Sequence, residues 1–100
     1  MAKPRGVHEV EQADRVFAAL AHPVRRQILL SVQIRGAAKA GEIANRFDCS
    51  WPTTSRHLAT LVAADLLCMV KEGRERVYRT NAQVVCEVLN RWASYFEAPR

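Results

Sequence analysis

Apolar residues return at helical spacing along most of this chain, and the places where the spacing fails mark its turns. From Glu9 onward, Val10, Ala13, Phe17 and Leu20 recur with charges between them, which predicts an amphipathic helix. His22-Pro23 ends it, because proline lacks an N–H and disfavours helical geometry in the residue before it. Pro23 suits the first turn of a second helix, whose stripe is Val24, Ile28, Leu29 and Val32 and which Gly36 stops. A short third helix is expected over residues 39–47, with Ile43, Ala44 and Phe47 inward. After a turn at Asp48-Cys49, Ser50 is placed to cap a fourth helix over residues 51–64, and Pro52 sits in its first turn where no donor is missed. Thr54, Leu58, Leu61 and Val62 share the inner face of that helix. Thr53, Arg56, His57 and Thr60 fall on the opposite face.

The period then changes. Residues 66–71 read as a strand, Glu72-Gly73-Arg74-Glu75 as a turn, and residues 76–80 as the returning strand of a hairpin. Asn81 is expected to cap a last helix over residues 82–96, which carries Val84, Val85, Val88, Leu89, Trp92, Tyr95 and Phe96. Residues 1–8 read as a flexible arm, leaving one domain over residues 9–97. The predicted fold is mainly α with a small β-hairpin, in the order α-α-α-α-β-β-α. Within it, a short helix, a brief turn and a longer capped helix with a polar outer face form a helix-turn-helix, and the arginine-bearing hairpin that follows has the form of a wing.

Composition sharpens this picture in three ways. One hundred residues make a modest core, so pairing with a second copy would bury more apolar surface. Lys and Arg number 15 against 10 Asp and Glu, a formal charge of +5 that suits a polyanion. The start of the chain carries no apolar stretch of the kind a secretory signal needs, and no run approaches the length of a membrane span, so a cytoplasmic protein is expected. Cys49, Cys68 and Cys86 are odd in number and widely spaced, which fits free thiols in a reducing compartment.

The outer face of the fourth helix is the candidate reading surface. Arg56 can bond two acceptors on guanine, Thr53 and Thr60 offer hydroxyls and methyls, and His57 offers an imidazole. Trp51, at the first helical position, either packs on the third helix or contacts DNA. Arg74 and Arg76 in the hairpin are candidates for phosphate or minor-groove contact, beside Lys71 and Arg79 and diluted by Glu72 and Glu75. Arg15, Arg25, Arg26, Arg35 and Lys39 form a stretch with no acid in it, divided in an undetermined way between DNA contact and solubility. The last helix is too apolar for a solvated end piece. Phe17, Val85, Leu89, Trp92, Tyr95 and Phe96 are therefore expected to form a dimer interface between first and last helices. No Gly-rich phosphate loop, spaced carboxylate pair or oriented Ser-His-Asp set supports catalysis. No Cys-x-Cys or Cys-x-x-Cys supports a metal, and His8 and His22 stand isolated as solvent-facing or capping residues. No cofactor is expected.

The stretch Leu20-Ala21-His22-Pro23-Val24-Arg25-Arg26-Gln27-Ile28-Leu29 resembles the opening motif of the ArsR family, the arsenical-resistance repressors. Ser50-Trp51-Pro52-Thr53-Thr54-Ser55-Arg56-His57-Leu58 resembles that family's recognition helix, and Glu72-Gly73-Arg74 through Val77-Tyr78 resembles its wing. The resemblance implies a homodimeric repressor on an inverted-repeat operator in double-stranded DNA, often controlling its own gene. It also implies a DNA contact for Ser55, Arg56 and His57, although by helical angle Ser55 lies nearer the inner edge. The third helix lacks the family's Cys-x-Cys and the last helix lacks its Asp and His ligands, which points to a metal-independent branch with the inducer unknown or absent. Asp48 and Asp65 stand where the family has glycine, and aspartate tolerates left-handed geometry. Two other readings stay open: the same scaffold gated by a small ligand or by oxidation of Cys86, and a protein-interaction module that no longer reads DNA.

Overall fold

Two helices of this chain follow a residue whose side chain accepts a backbone N–H, His22 and Ser50, and each has a proline in its first turn. The computed structural model describes residues 5–97, with only the backbone of Arg5 and Val7. Its elements are α1 (Arg5–Leu20), α2 (Pro23–Arg35), β1 (Ala38–Lys39), α3 (Ala40–Arg46), α4 (Trp51–Ala63), β2 (Leu67–Glu72), β3 (Glu75–Thr80) and α5 (Ala82–Ser94). The helix expected from Glu9 begins at Arg5, so residues 5–8 of the expected arm are helical; residues 1–4 lie outside the described residues.

The junction of α1 and α2 shows how local chemistry sets the chain's course. His22 is extended (φ −94°, ψ 124°), and its Nδ1 accepts the Val24 N–H at 3.2 Å, doing the work of a serine or aspartate cap. On the other side of the same turn, α1 has no basic residue in its own last turn. Its orphan carbonyls are served from α2 instead. Arg25 donates through Nε to the Ala19 carbonyl at 2.6 Å and through Nη2 to the Ala18 carbonyl at 3.0 Å. Arg26 donates through Nη1 to the Leu20 carbonyl at 2.7 Å. Two arginines that the sequence leaves unassigned are thus the C-terminal cap of α1, where positive charge also meets the negative end of the helix dipole.

Gly36 closes α2 at φ +85°, donating its N–H to the Val32 carbonyl at 2.9 Å. The chain then makes a two-residue strand that periodicity did not predict. Ala38 pairs with Tyr78 and Lys39 with Val77, so the sheet has three antiparallel strands in the order β1-β3-β2. Lys39, expected inside the third helix, is its N-cap: its backbone N–H donates to Glu42 Oε1 at 2.9 Å. The hairpin turns on Gly73 (φ +64°) and Arg74, between the paired Glu72 and Glu75. Positive φ at the first central residue only is the primed-turn geometry that matches strand twist. Asp48 (φ 48°) and Asp65 (φ 62°) hold the left-handed positions expected of them. The Asn81 side chain makes no cap bond. Its backbone carbonyl accepts from Val84 and Val85 instead.

The core is built around α4. Leu58, Leu61 and Thr54 on its inner face are buried, and α1, α2, α3 and β2 all pack against it. Val16, Ala19, Ile28, Val32, Leu66 and Val88 complete the interior. Val10, counted among the apolar positions of the first helix, is 60% exposed because Val16 and Ala19 form the buried edge instead. Removing the borrowed cap of α1 should be costly. Arg25→Ala is expected to lose about 1–2 kcal/mol, a drop of roughly 5–10 °C in Tm for a domain of this size. Arg25→Lys should recover only part, because an ammonium lacks the fork that reaches two carbonyls. Thermal unfolding followed by circular dichroism checks this, and an unchanged Tm in Arg25→Ala would show that water serves those carbonyls equally well.

Candidate nucleic-acid interface

The start of α4 is fixed by a reciprocal pair. The Ser50 hydroxyl accepts the Thr53 N–H at 3.4 Å and donates to the Thr53 hydroxyl at 3.0 Å. Thr53 is half-buried and held, with its methyl, its own O–H and one lone pair available. Arg56 is exposed. Thr60 is also exposed, but its hydroxyl donates back to the Arg56 carbonyl at 2.9 Å, so toward a ligand it can only accept a hydrogen bond or offer its methyl. Ser55 is half-buried at the inner edge, where its helical angle placed it.

His57 departs from expectation. It is 9% exposed, turned inward against the α1–α2 junction, with its ring centroid 4.6 Å from that of His22. At about 100° per residue, His57 lies only some 40–60° from Leu61 and Thr54, so the turn carrying His22 needs only a small reach to cover it. The two histidines are far apart in sequence, and neither belongs to a local pattern that would announce the contact. Burial holds the His57 imidazole below the ordinary histidine range, and His22, Arg25 and Arg56 push in the same direction.

The wing divides its charges. Glu75 is held by Lys39 at 2.8 Å across to β1, and Glu72 by Arg79 at 3.6 Å. Glu42 pairs with Arg35 at the start of α3. The cations Lys71 and Arg76 face each other directly across the hairpin, both exposed, an arrangement that repels unless an anion joins it. Among the described residues, Lys71, Arg74, Arg76 and Arg56 make no ion pair. Trp51 lies between the two groups. It is 49% exposed and lines a cleft of about 410 Å³ with Lys39, Glu42, Arg74 and Arg76. Of the expected residues of α4 and the wing, the cleft brings together Trp51, Arg74 and Arg76; Thr53, Ser55, Arg56 and Thr60 do not line it, and His57 is turned inward.

A second surface lies between α1 and α5. Phe17 and Val85 are half-buried, and Leu89, Trp92, Tyr95 and Phe96 are exposed, the last two at 75% and 70%. Phe17 meets Trp92 edge-on with centroids 5.2 Å apart, and Trp92 meets Phe96 at 4.7 Å. A groove of about 670 Å³ runs beside them, lined by Val10, Ala13, Phe17, Val88, Trp92 and Tyr95 among others. Contiguous apolar surface of this kind marks an interaction site. All three cysteines are free; Cys68 and Cys86 are exposed and Cys49 half-buried. Among the described residues, no three His, Cys, Asp or Glu side chains gather to hold a metal, and no helix is long and apolar enough to cross a membrane.

Residues 20–70 match the model of a helix-turn-helix domain family. The transcriptional repressor SdpR of Bacillus subtilis (strain 168) is 34% identical over 77 residues, which span 77% of this chain and 84% of that repressor. An ArsR-like transcriptional regulator from Rhodococcus sp. RHA1 superposes with a TM-score of 0.76 at 30% identity, covering 88% of this chain and 85% of the other. The homodimeric winged helix-turn-helix DNA-binding domain of a possible ArsR-family regulator from Mycobacterium bovis gives a TM-score of 0.75 at 26% identity, covering 100% of this chain and 94% of the other.

The buried His57 has a measurable consequence. Its folded-state pKa lies below the ordinary value of 6.5, so the unfolded chain binds that proton more readily. The stability contributed by the neutral ring is complete above about pH 6.5 and is lost as the pH falls through the lower folded-state value. Urea unfolding between about pH 7.5 and 5.5 should show stability falling with acidification, more steeply in the wild type than in His57→Gln. Equal slopes in the two proteins would remove His57 as the cause.

Proposed function

The chain belongs to the ArsR family of winged helix-turn-helix transcriptional regulators, and on that footing we propose that it represses transcription as a homodimer bound to an inverted-repeat operator. The observation that carries this reading is the partition of its charges. Arg25 and Arg26 close a helix and Arg35, Lys39 and Arg79 pair with carboxylates; of the described cations that make no ion pair, Arg56, Lys71, Arg74 and Arg76 lie on α4 and the wing, while Arg15, Arg46 and Arg91 lie one each on α1, α3 and α5. Cations uncommitted within the fold are the ones free to displace condensed counterions from a phosphate backbone.

The roles follow from position. Arg56, projecting from the free side of α4, reads a base edge, with guanine the best match for a guanidinium. Thr53 and Thr60 flank it with methyl and acceptor groups. Arg74 and Arg76, with Lys71, hold the backbone beyond the groove. Ser50 fixes the helix start, Ser55 offers its hydroxyl to the DNA from the half-buried edge of α4, and His57 positions the helix from within. The apolar groove between α1 and α5 takes a second copy, as support from the homodimeric neighbour suggests, so that two α4 helices meet successive major grooves. Control of the protein's own gene, without a metal, follows from the family resemblance and the absence of the family's ligand residues from the third and last helices.

Fluorescence anisotropy on a labelled duplex from upstream of the protein's own gene, against a scrambled duplex at several salt concentrations, tests the proposal. Tighter, steeply salt-dependent binding to the native duplex is expected. Arg56→Ala should lose about 1–3 kcal/mol on the native duplex and relax its preference, whereas Arg74→Ala should weaken both duplexes alike and reduce the salt slope by about 1. Equal effects of both variants on both duplexes would refute Arg56 as the reading residue.

A further inference from the structure

An exposed tryptophan at the first position of a recognition helix needs a reason. Trp51 is 49% exposed, and it shares its cleft with Arg74 and Arg76 of the wing. The two carboxylates that face the same cleft are already held, Glu75 by Lys39 and Glu42 by Arg35. Arg76 also stands opposite Lys71, a repulsion that an anion would relieve. The cleft therefore combines a flat apolar ring with two uncommitted guanidinium groups.

That combination suits a sugar–phosphate unit. The face of an indole buries the apolar side of a deoxyribose, and guanidinium groups bond phosphate oxygens in a fork. A base edge fits less well, because indole has a single donor and no acceptor and cannot make the two-point contact that identifies a base. Position agrees with chemistry. When α4 lies in the major groove and the wing reaches past its edge, the DNA strand that separates them crosses between the two. The cleft opens between the start of α4 and the wing, the place such a strand would cross. We infer that Trp51 seats one deoxyribose of the crossing strand, with Arg74 and Arg76 on the flanking phosphates, and so sets the depth and register of α4 without itself reading sequence. This assignment rests on the DNA-binding reading above.

The test compares wild type, Trp51→Ala and Trp51→Phe by anisotropy on the native and scrambled duplexes across a salt series. Trp51→Ala is expected to weaken both duplexes by about tenfold, the scale of one lost buried aromatic contact. The salt slope should stay at the wild-type value, since no cation is removed, and Trp51→Phe should recover most of the affinity. The Trp51 emission, taken as the difference between the wild-type and Trp51→Phe spectra, should change on adding either duplex; this readout stands even where Trp51→Ala fails to fold. A loss confined to the native duplex would overturn the seating role in favour of base reading. Unchanged affinity, or Trp51 emission indifferent to a duplex that binds, would overturn it while leaving DNA binding intact. Failure of the wild type to bind any duplex would overturn the DNA reading, and the seating role with it.

Discussion

Everything in this fold that faces outward to a partner depends on how α4 is held. Four elements pack on its inner side, with Leu58 and Leu61 almost wholly buried and Ser50 closing its start. A helix clamped in this way has no freedom to roll, so its remaining face is a fixed surface. The α1–α2 junction joins the clamp through an unusual route. One histidine caps α2 while lying against another histidine on α4, and two arginines tie the end of α1 into the same corner. A reading head needs this kind of rigidity, because hydrogen bonds to base edges discriminate only when donors are held in place.

Charge follows the same economy. Most surface cations near the turn-rich end of the molecule have partners inside the fold. Of those that do not, four lie on α4 and the wing, Arg56, Lys71, Arg74 and Arg76, and Arg46 lies at the end of α3. A formal charge of +5 alone says little, since surface salt bridges contribute weakly and many proteins are basic. The information lies in which cations remain uncommitted, and that becomes visible only when the strands are paired and the helix ends are capped.

The helices were legible in the sequence because their signals are local. Pro23, Gly36 and Ser50 mark ends through backbone chemistry, and the apolar stripe of α2 and most of that of α4 are inside as the spacing implies. The hairpin was legible from its alternation and its Gly73 turn. What escaped depends on residues distant in the chain. β1 is two residues long and exists only because β3 arrives beside it. His57, near the inner face by its helical angle, is buried where His22, distant in sequence, lies against it. Arg25 and Arg26 read as loose cations until the end of α1 comes within reach. Asn81 was assigned a side-chain cap by residue type, and its backbone supplies the bond instead. For the candidate interface, residue types and spacing brought out Arg56, Arg74 and Arg76, whereas the cleft that joins Arg74 and Arg76 to Trp51 is a product of the sheet.

The central claim is that two copies of this chain, joined through α1 and α5, present two α4 helices to one duplex. Selection of bound sequences from a fully randomised duplex library tests it most directly, because it presupposes no operator. Enrichment of an inverted repeat is expected, its half-sites centred about one helical turn, roughly 34 Å, apart or a multiple of it. Enrichment of a single unrepeated site, or of no sequence at all, would contradict it.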